Sequence, residues 1–101
     1  MLAEISICPV GSEHMSEDVA QVIETLKSTG LEYRLGPMST CIQGDSQDVF
    51  TAIRRCHELV ANKHERVLTT IVLDDRKHGA HELNSMVECV EKRVDRAKVA
   101  T

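Results

Sequence analysis

The 101-residue sequence has few of the large side chains on which many protein cores are built. It contains no Trp, one Tyr and one Phe, so the core must be formed by Val, Ile, Leu and Met. No internal repeat and no low-complexity segment is present. This length suits one domain with one core, and we expect residues 1–101 to form a single globular domain.

The chain also lacks a basic face and a long apolar run. Its formal net charge is -4, and its Lys and Arg residues form no cluster that tracks phosphates, so we expect no nucleic-acid partner. No apolar run approaches the roughly 20 residues that span a bilayer. Glu4 interrupts the apolar N-terminus, and no signal-peptide pattern follows. We expect a cytoplasmic protein with no membrane partner.

Catalytic and metal-binding patterns are absent as well. The four cysteines form no C-x-x-C motif, so we expect no zinc site and no redox pair. His78 and His81 have no third ligand in register, which predicts no metal site and no cofactor. Cys56 and His57 are neighbours on a predicted helix and point about 100° apart, which favours a core thiol beside an exposed imidazole over a catalytic pair. We expect no catalytic residue and no enzyme activity. The thiols predicted to be free and buried are Cys8, Cys41, Cys56 and Cys89.

The stretch from Gly30 to Asp45 organises the rest of the chain. Gly30 predicts the end of a helix, and residues 31–35 alternate apolar with polar side chains, as a strand with one buried face does. Gly36-Pro37 breaks that strand, and residues 38–43 predict a second strand before Asp45 caps another helix. The centre of the chain is therefore predicted to be a β-hairpin.

Elements on both sides of the hairpin complete a recognisable order. The predicted elements are a strand over Leu2–Val10, a helix from its N-cap Ser16 to Gly30, a helix from Asp45 with Val49, Phe50, Ile53, Cys56 and Val60 inward, a strand over Arg66–Asp74, and a third helix from Glu82. The order β-α-β-β-α-β-α is that of an α+β ferredoxin-like sandwich with an added C-terminal helix. It predicts an antiparallel four-stranded sheet with one face bare of helices.

The last strand is apolar on both faces, which a half-solvated strand is not. Val67, Ile71 and Leu73 share one side, and Leu68 and Val72 share the other. We expect Leu2, Met38 and Ile42 to enlarge an apolar patch on the bare face. Soluble monomers seldom expose such a patch, so we expect a homo-oligomer that joins through sheet faces or edges.

Small polar side chains accompany these strands and leave two interpretations open. They either fill gaps in strands that favour Thr and Ser, or line a partly apolar pocket that orients a small ligand. The residues concerned are Ser6, Cys8, Ser39, Thr40, Thr69 and Thr70.

The segments AEISICPVG, GLEYRLGPMSTCIQGD, DVFTAIRRCHE and RVLTTIVLDDR, in this order, resemble the YkoF-like thiamine-binding proteins of ferredoxin-like fold. The resemblance covers about Leu2 to Val94. It implies a non-enzymatic protein that binds thiamine or its hydroxymethylpyrimidine moiety and assembles as dimers or tetramers through its sheets.

The family's motifs fall on defined positions of this chain. Its M-G-T falls on Met38, Ser39 and Thr40, its E-G-D on Gln43, Gly44 and Asp45, and its D-D-R on Asp74, Asp75 and Arg76. Ser39 replaces a glycine and Gln43 replaces a carboxylate. Asp18 and Val19 stand where such proteins often carry an aromatic residue after a serine.

An aminopyrimidine offers donors and acceptors that hydroxyls, backbone groups and a carboxylate can meet in a dry pocket. The thiazolium of thiamine is a cation that an acidic protein attracts. We therefore place Ser6, Met38, Ser39 and Thr40 at the ligand, with Glu4 or Asp74 as its charged partner. The alternative is an oligomeric regulatory module that senses another small metabolite.

Overall fold

The computed structural model describes residues 1–12 and 15–77 as a four-stranded sheet with two helices. The predicted helix from Glu82 lies outside these residues, as do His78, His81 and Cys89. The elements are β1 (Leu2–Pro9), α1 (Ser16–Thr29), β2 (Glu32–Leu35), β3 (Thr40–Gln43), α2 (Ser46–Ala61) and β4 (Val67–Asp74).

The sheet confirms the predicted fold class. Its strand order is β2-β3-β1-β4, and every neighbouring pair is antiparallel. The central strand β1 pairs with β3 from Leu2↔Gln43 to Ile5↔Thr40 and with β4 along its whole length, to Pro9↔Val67. This is the split β-α-β arrangement predicted from the order of the elements.

Local signals set most element ends, with two exceptions. Gly30 ends α1 in a left-handed conformation, with φ 76° and its N–H bonded to the Lys27 carbonyl. The Asp45 side chain caps α2 by accepting from the Ser46 N–H at 3.1 Å. The prediction that Ser16 is an N-cap was wrong, because Met15 holds that position without a side-chain bond.

The second exception is the start of β3, which the sequence places at Met38 and the structure at Thr40. The Gly36 N–H donates to the Ser39 carbonyl at 2.8 Å, which leaves Pro37 and Met38 as the tip of the hairpin. The tip holds Met38 in solvent, with 88% of it exposed. Hairpin closure therefore takes two residues away from the predicted strand.

The core between the sheet and the helices is aliphatic, as predicted. Phe50, which the helical pattern had placed inward, is instead half exposed on α2. Tyr33 is only partly buried at the margin of the core. The buried apolar residues are Ala3, Ile5, Val22, Leu26, Ile42, Val49, Ala52, Ile53, Cys56 and Val60.

Ile42 corrects the predicted composition of the bare face of the sheet. It lies directly opposite Ala3 in the β1–β3 register, and both side chains are completely buried under the helices. Met38 also contributes nothing to that face as a strand residue, because it lies at the hairpin tip. We call the side of the sheet away from α1 and α2 the open face.

The apolar part of the open face is narrower than predicted and lies along β4. The register places Leu68 and Val72 there, with 54% and 56% of each residue exposed. Towards β2 the same face carries charged side chains, Arg34 and Glu4, on either side of Cys41. Ile71, on the helix side of β4, is also 42% exposed, so β4 is apolar on both sides as predicted.

Neighbouring residues of β3 test the two faces of the sheet. Ile42→Ala should lower the free energy of unfolding by about 2–5 kcal/mol, because it leaves a cavity in the core. Cys41→Ala, one residue away on the open face, should cost about 1 kcal/mol or less. Urea unfolding of the two variants measures both values, and equal losses would contradict the assigned faces.

Candidate functional site

A cavity of about 270 Å³ lies between α1, residues 5–8 of β1 and the tip of the β2–β3 hairpin. Its wall is mainly apolar, with a few polar groups, a composition typical of small-molecule sites. The apolar lining residues are Ile5, Ile7, Met15, Val19, Val22, Leu35, Pro37, Met38 and Val60, and the other lining residues are Ser6, Cys8, Asp18, Gly36, Ser39 and Thr40.

The cavity exists because β3 is shorter than β1. Pairing with β3 reaches only Ile5↔Thr40, whereas pairing with β4 continues to Pro9↔Val67. Residues 6–9 of β1 therefore have a strand on one side and the hairpin tip on the other. The gap in the sheet opens beneath the first turns of α1, which supplies Asp18, Val19 and Val22 to the wall.

Backbone groups of β1 face this gap. Met1 and Gly44 exchange two hydrogen bonds at 2.9 and 3.1 Å, and Val10 donates to Arg66 at 2.9 Å. Because antiparallel pairing alternates along a strand, odd-numbered residues of β1 direct their polar groups towards β3 and even-numbered residues towards β4. Ile7 thus directs its N–H and carbonyl to the side where β3 has already ended.

Among the described residues of the cavity wall, Asp18 is the one with a charged side chain. It lies in the first turn of α1, where the helix dipole favours an acid, yet only 8% of it is exposed. His64, from the loop after α2, places its Nε2 at 3.1 Å from Asp18 Oδ2. A carboxylate so deeply buried needs such a partner, because desolvation otherwise penalises its charge.

Sequence reasoning noted Asp18 as a departure from the family pattern, did not include it among the residues predicted at the ligand, and so missed its position in the wall. One signal was available, because Asp18, Val22 and Leu26 recur at four-residue spacing and share the inward face of α1. His64 gave no signal, since it is 46 residues from Asp18 in a loop.

The structure brings together four of the six residues predicted at the ligand. Ser6, Met38, Ser39 and Thr40 all line the cavity. The two predicted charged partners, Glu4 and Asp74, do not line it and lie on the open face. Roles in ligand binding stay predictions for all six residues.

The positions that depart from the family motifs also divide between the open face and the cavity wall. Gln43 lies on the open face of β3, away from the cavity, so its missing carboxylate does not change the cavity wall. Ser39 is half-buried in that wall, and Asp18 and Val19, the departure noted at the start of the first helix, line it as well.

The cysteines differ in burial, contrary to the prediction that all are buried. Cys8, Cys41 and Cys56 are free, and only Cys56 is buried. Burial raises the pKa of the Cys56 thiol to about 11. Burial, and then the nearby Glu4 carboxylate, also raise the pKa of Cys41 despite the opposing Arg34. Cys8 is exposed, with its Sγ 3.7 Å from Met15 Sδ at the cavity wall.

His57 also differs from its predicted exposed state. It is half-buried, and its Nδ1 lies 2.6 Å from Thr69 Oγ1, which ties α2 to β4. Over residues 1–12 and 15–77, no three His, Cys, Asp or Glu side chains cluster to hold a metal ion. Within the same ranges, neither helix has the length and apolarity needed to cross a membrane.

Thiol labelling should reproduce this order of exposure. With iodoacetamide at mildly alkaline pH, Cys8 should react fastest, Cys41 more slowly, and Cys56 only on unfolding, because thiolate content and access control the rate. Peptide mass spectrometry over a time course measures each site separately. Early labelling of Cys56 in the folded protein would contradict its place in the core.

Comparisons with known proteins show the family to which this chain belongs. A family model described as "Thiamine-binding protein" matches residues 3–91. The chain belongs to this family. The resemblance found in the sequence motifs is thereby confirmed.

Relatives in the family match over nearly their full length. The UPF0045 protein YqgV of Bacillus subtilis is 35% identical over 92% of this chain and 96% of its own. A UPF0045 protein of Methanothermobacter thermautotrophicus is 31% identical over 91% of this chain and 97% of its own.

Solved structures share the fold. A hypothetical protein of Methanocaldococcus jannaschii superposes with a TM-score of 0.82 at 27% identity, covering 89% of this chain and 94% of its own. A Thermotoga maritima protein, named as a candidate thiamine biosynthesis/salvage protein, gives a TM-score of 0.74 at 17% identity, covering 86% and 95%. At that identity the second match shows the fold alone.

Proposed function

We propose that this protein is a non-enzymatic binding protein for thiamine or its hydroxymethylpyrimidine moiety, and that the ligand occupies the cavity beside β1. The observation that carries the proposal is the position of Ser6, Met38, Ser39 and Thr40 around one cavity in a chain of the thiamine-binding family. The sequence alone predicts them at a ligand, Met38, Ser39 and Thr40 from a family motif and Ser6 as a small polar residue of a strand. Their convergence on one site supports a shared task.

The chemistry of the cavity suits an aminopyrimidine. Such a ring carries a nitrogen acceptor beside an amino donor, and the N–H and carbonyl of Ile7 offer the complementary pair. The ring faces then meet aliphatic side chains such as Ile5, Val19 and Leu35. A volume of about 270 Å³ is near the lower end for ligand pockets and suits a molecule of one or two rings.

A binding role fits this wall better than catalysis. Ser6, Ser39 and Cys8 line the cavity. Within the described part of the chain, no side-chain hydrogen bond joins any of them to a general base. The buried Cys56 thiol, with its raised pKa, belongs to the core, and the adjacent His57 is bonded to Thr69. We therefore assign no catalytic residue and no cofactor.

We also propose that copies of the chain assemble through the sheet as dimers or tetramers in the cytoplasm. In the described sheet, β4 is an edge strand of eight residues with apolar side chains on both faces. Exposed apolar edges of this kind favour pairing with another chain. Among the described residues, Cys8, Cys41 and Cys56 are free thiols, as is typical of proteins in a reducing compartment.

The second candidate is an oligomeric regulatory module that senses another small metabolite in the same cavity. Asp18 favours it in one respect, because this buried acid of the wall is not among the residues predicted to bind thiamine or hydroxymethylpyrimidine. A thermal-shift panel of metabolites separates the two functions, since a ligand stabilises the native state by mass action.

Titration calorimetry with thiamine and with hydroxymethylpyrimidine tests the binding proposal. The native protein should bind at least one of them, and Ser39→Phe should weaken binding by about tenfold or more because the ring fills the cavity. Ser28→Phe, on the exposed end of α1, is the matched control and should bind normally.

Labelling gives a second measure of the same event. Bound ligand should slow alkylation of Cys8, which lines the cavity, and leave that of Cys41 on the open face unchanged. Absence of heat with either compound, on folded and assembled protein, would remove the ligand assignment.

Sedimentation velocity tests the assembly. Val72→Lys should shift the protein towards monomer, because a charge in an apolar interface is desolvated without a partner. Phe50→Lys introduces the same charge at a half-exposed apolar residue on α2 and should leave the assembly intact. A native protein that sediments only as an 11.2 kDa species would contradict the proposed oligomer.

A further inference from the structure

We infer that Asp18 determines the specificity of the cavity, because its carboxylate selects a ligand that carries a positive charge, with His64 as the positioning residue. This inference rests on the proposed function of the cavity. It goes beyond that proposal by naming the charge of the preferred ligand and the residues that set it.

Asp18 lies in apolar surroundings that strengthen its attraction for a cation. It is 8% exposed in a wall made mainly of aliphatic side chains. The described residues that line the cavity include no Lys and no Arg, and His64, the partner of Asp18, is not among them. Charge attraction is stronger in such surroundings than in water. A cationic ring entering the cavity would therefore gain more from Asp18 than a neutral ring of similar shape.

His64 orients the carboxylate of Asp18. His64 Nε2 lies 3.1 Å from Asp18 Oδ2 and comes from a separate loop of the chain. In both the neutral Nε2–H form and the imidazolium form, this nitrogen donates to Oδ2. This hydrogen bond fixes the side chain of Asp18, which is a residue of the cavity wall. His64 does not line the cavity, so it acts on the ligand only through Asp18.

The carboxylates predicted to meet the ligand do not lie at the cavity. Glu4 and Asp74 were the charged partners expected from the sequence, and both lie on the open face outside the cavity wall. Among the residues that the structure describes, Asp18 is thus the carboxylate that we place at the ligand. Its carboxylate is held by His64 and lies in a wall made mainly of aliphatic side chains, so charge is the property by which this wall can select a ligand.

Thiamine and hydroxymethylpyrimidine test this selection, because they share the aminopyrimidine and only thiamine carries the thiazolium cation. Asp18→Asn should weaken thiamine binding by about tenfold or more and hydroxymethylpyrimidine binding by about threefold or less in calorimetric titrations. Glu17→Gln, which removes an exposed acid from the same helical turn, is the charge-matched control and should change neither affinity. Thermal unfolding confirms that each variant is folded.

The outcomes separate this inference from the proposed function. If the native protein binds and Asp18→Asn weakens both ligands equally, or neither, charge selection by Asp18 is wrong and the binding function stands. Binding of the neutral pyrimidine without thiamine would also overturn the selection alone. If the native protein binds neither compound, both proposals fail.

The role of His64 is tested by rescue and by coupling. His64→Leu should weaken thiamine binding about fivefold, whereas His64→Gln, which keeps a side-chain N–H donor, should restore most of the affinity. In the Asp18→Asn background, His64→Leu should have little further effect, as residues acting through one contact are not additive. Equal losses for Gln and Leu, or a full loss in the Asp18→Asn background, would overturn the positioning role.

Discussion

The early end of β3 beside β1 is the constraint on which the site depends. β1 continues four residues beyond Ile5, and only β4 accompanies it. A full-length β3 would close the gap and pair the backbone of Ile7. The two-residue hairpin tip at Pro37 and Met38 prevents this, so one short turn creates both the space and the polar groups within it.

The helix above the gap supplies what the strands lack. A sheet edge offers neutral donors and acceptors, whereas the first turn of α1 brings a carboxylate into an apolar wall. Holding Asp18 there is costly, and the helix N-terminus and His64 offset the cost. Residues kept in such unfavourable positions are typical of functional sites, where local consistency is given up for recognition.

Local chemistry made the fold predictable and left the site incomplete. Gly30 and Asp45 fixed helix ends, and alternation along each strand identified its two sides. Alternation within β3 does not say which side joins the core, because that depends on its register with β1, and Ile42 was misplaced for this reason. A family motif indicated the lining residues Met38, Ser39 and Thr40, and the small polar residues of the strands indicated Ser6. The pair of Asp18 and His64 spans 46 residues and could be found only from the folded chain.

The cavity and the apolar edge of the sheet are adjacent surfaces. Cys8 lines the cavity and lies opposite Leu68 in the β1–β4 register, with both side chains on the open face. Residues 6–9 of β1 have no partner in β3, and residues from both sides of this stretch, Ile7 and Cys8 among them, line the cavity. A second copy that covers Leu68 also approaches the cavity wall at Cys8. The proposed assembly surface and the proposed ligand site therefore meet at Cys8.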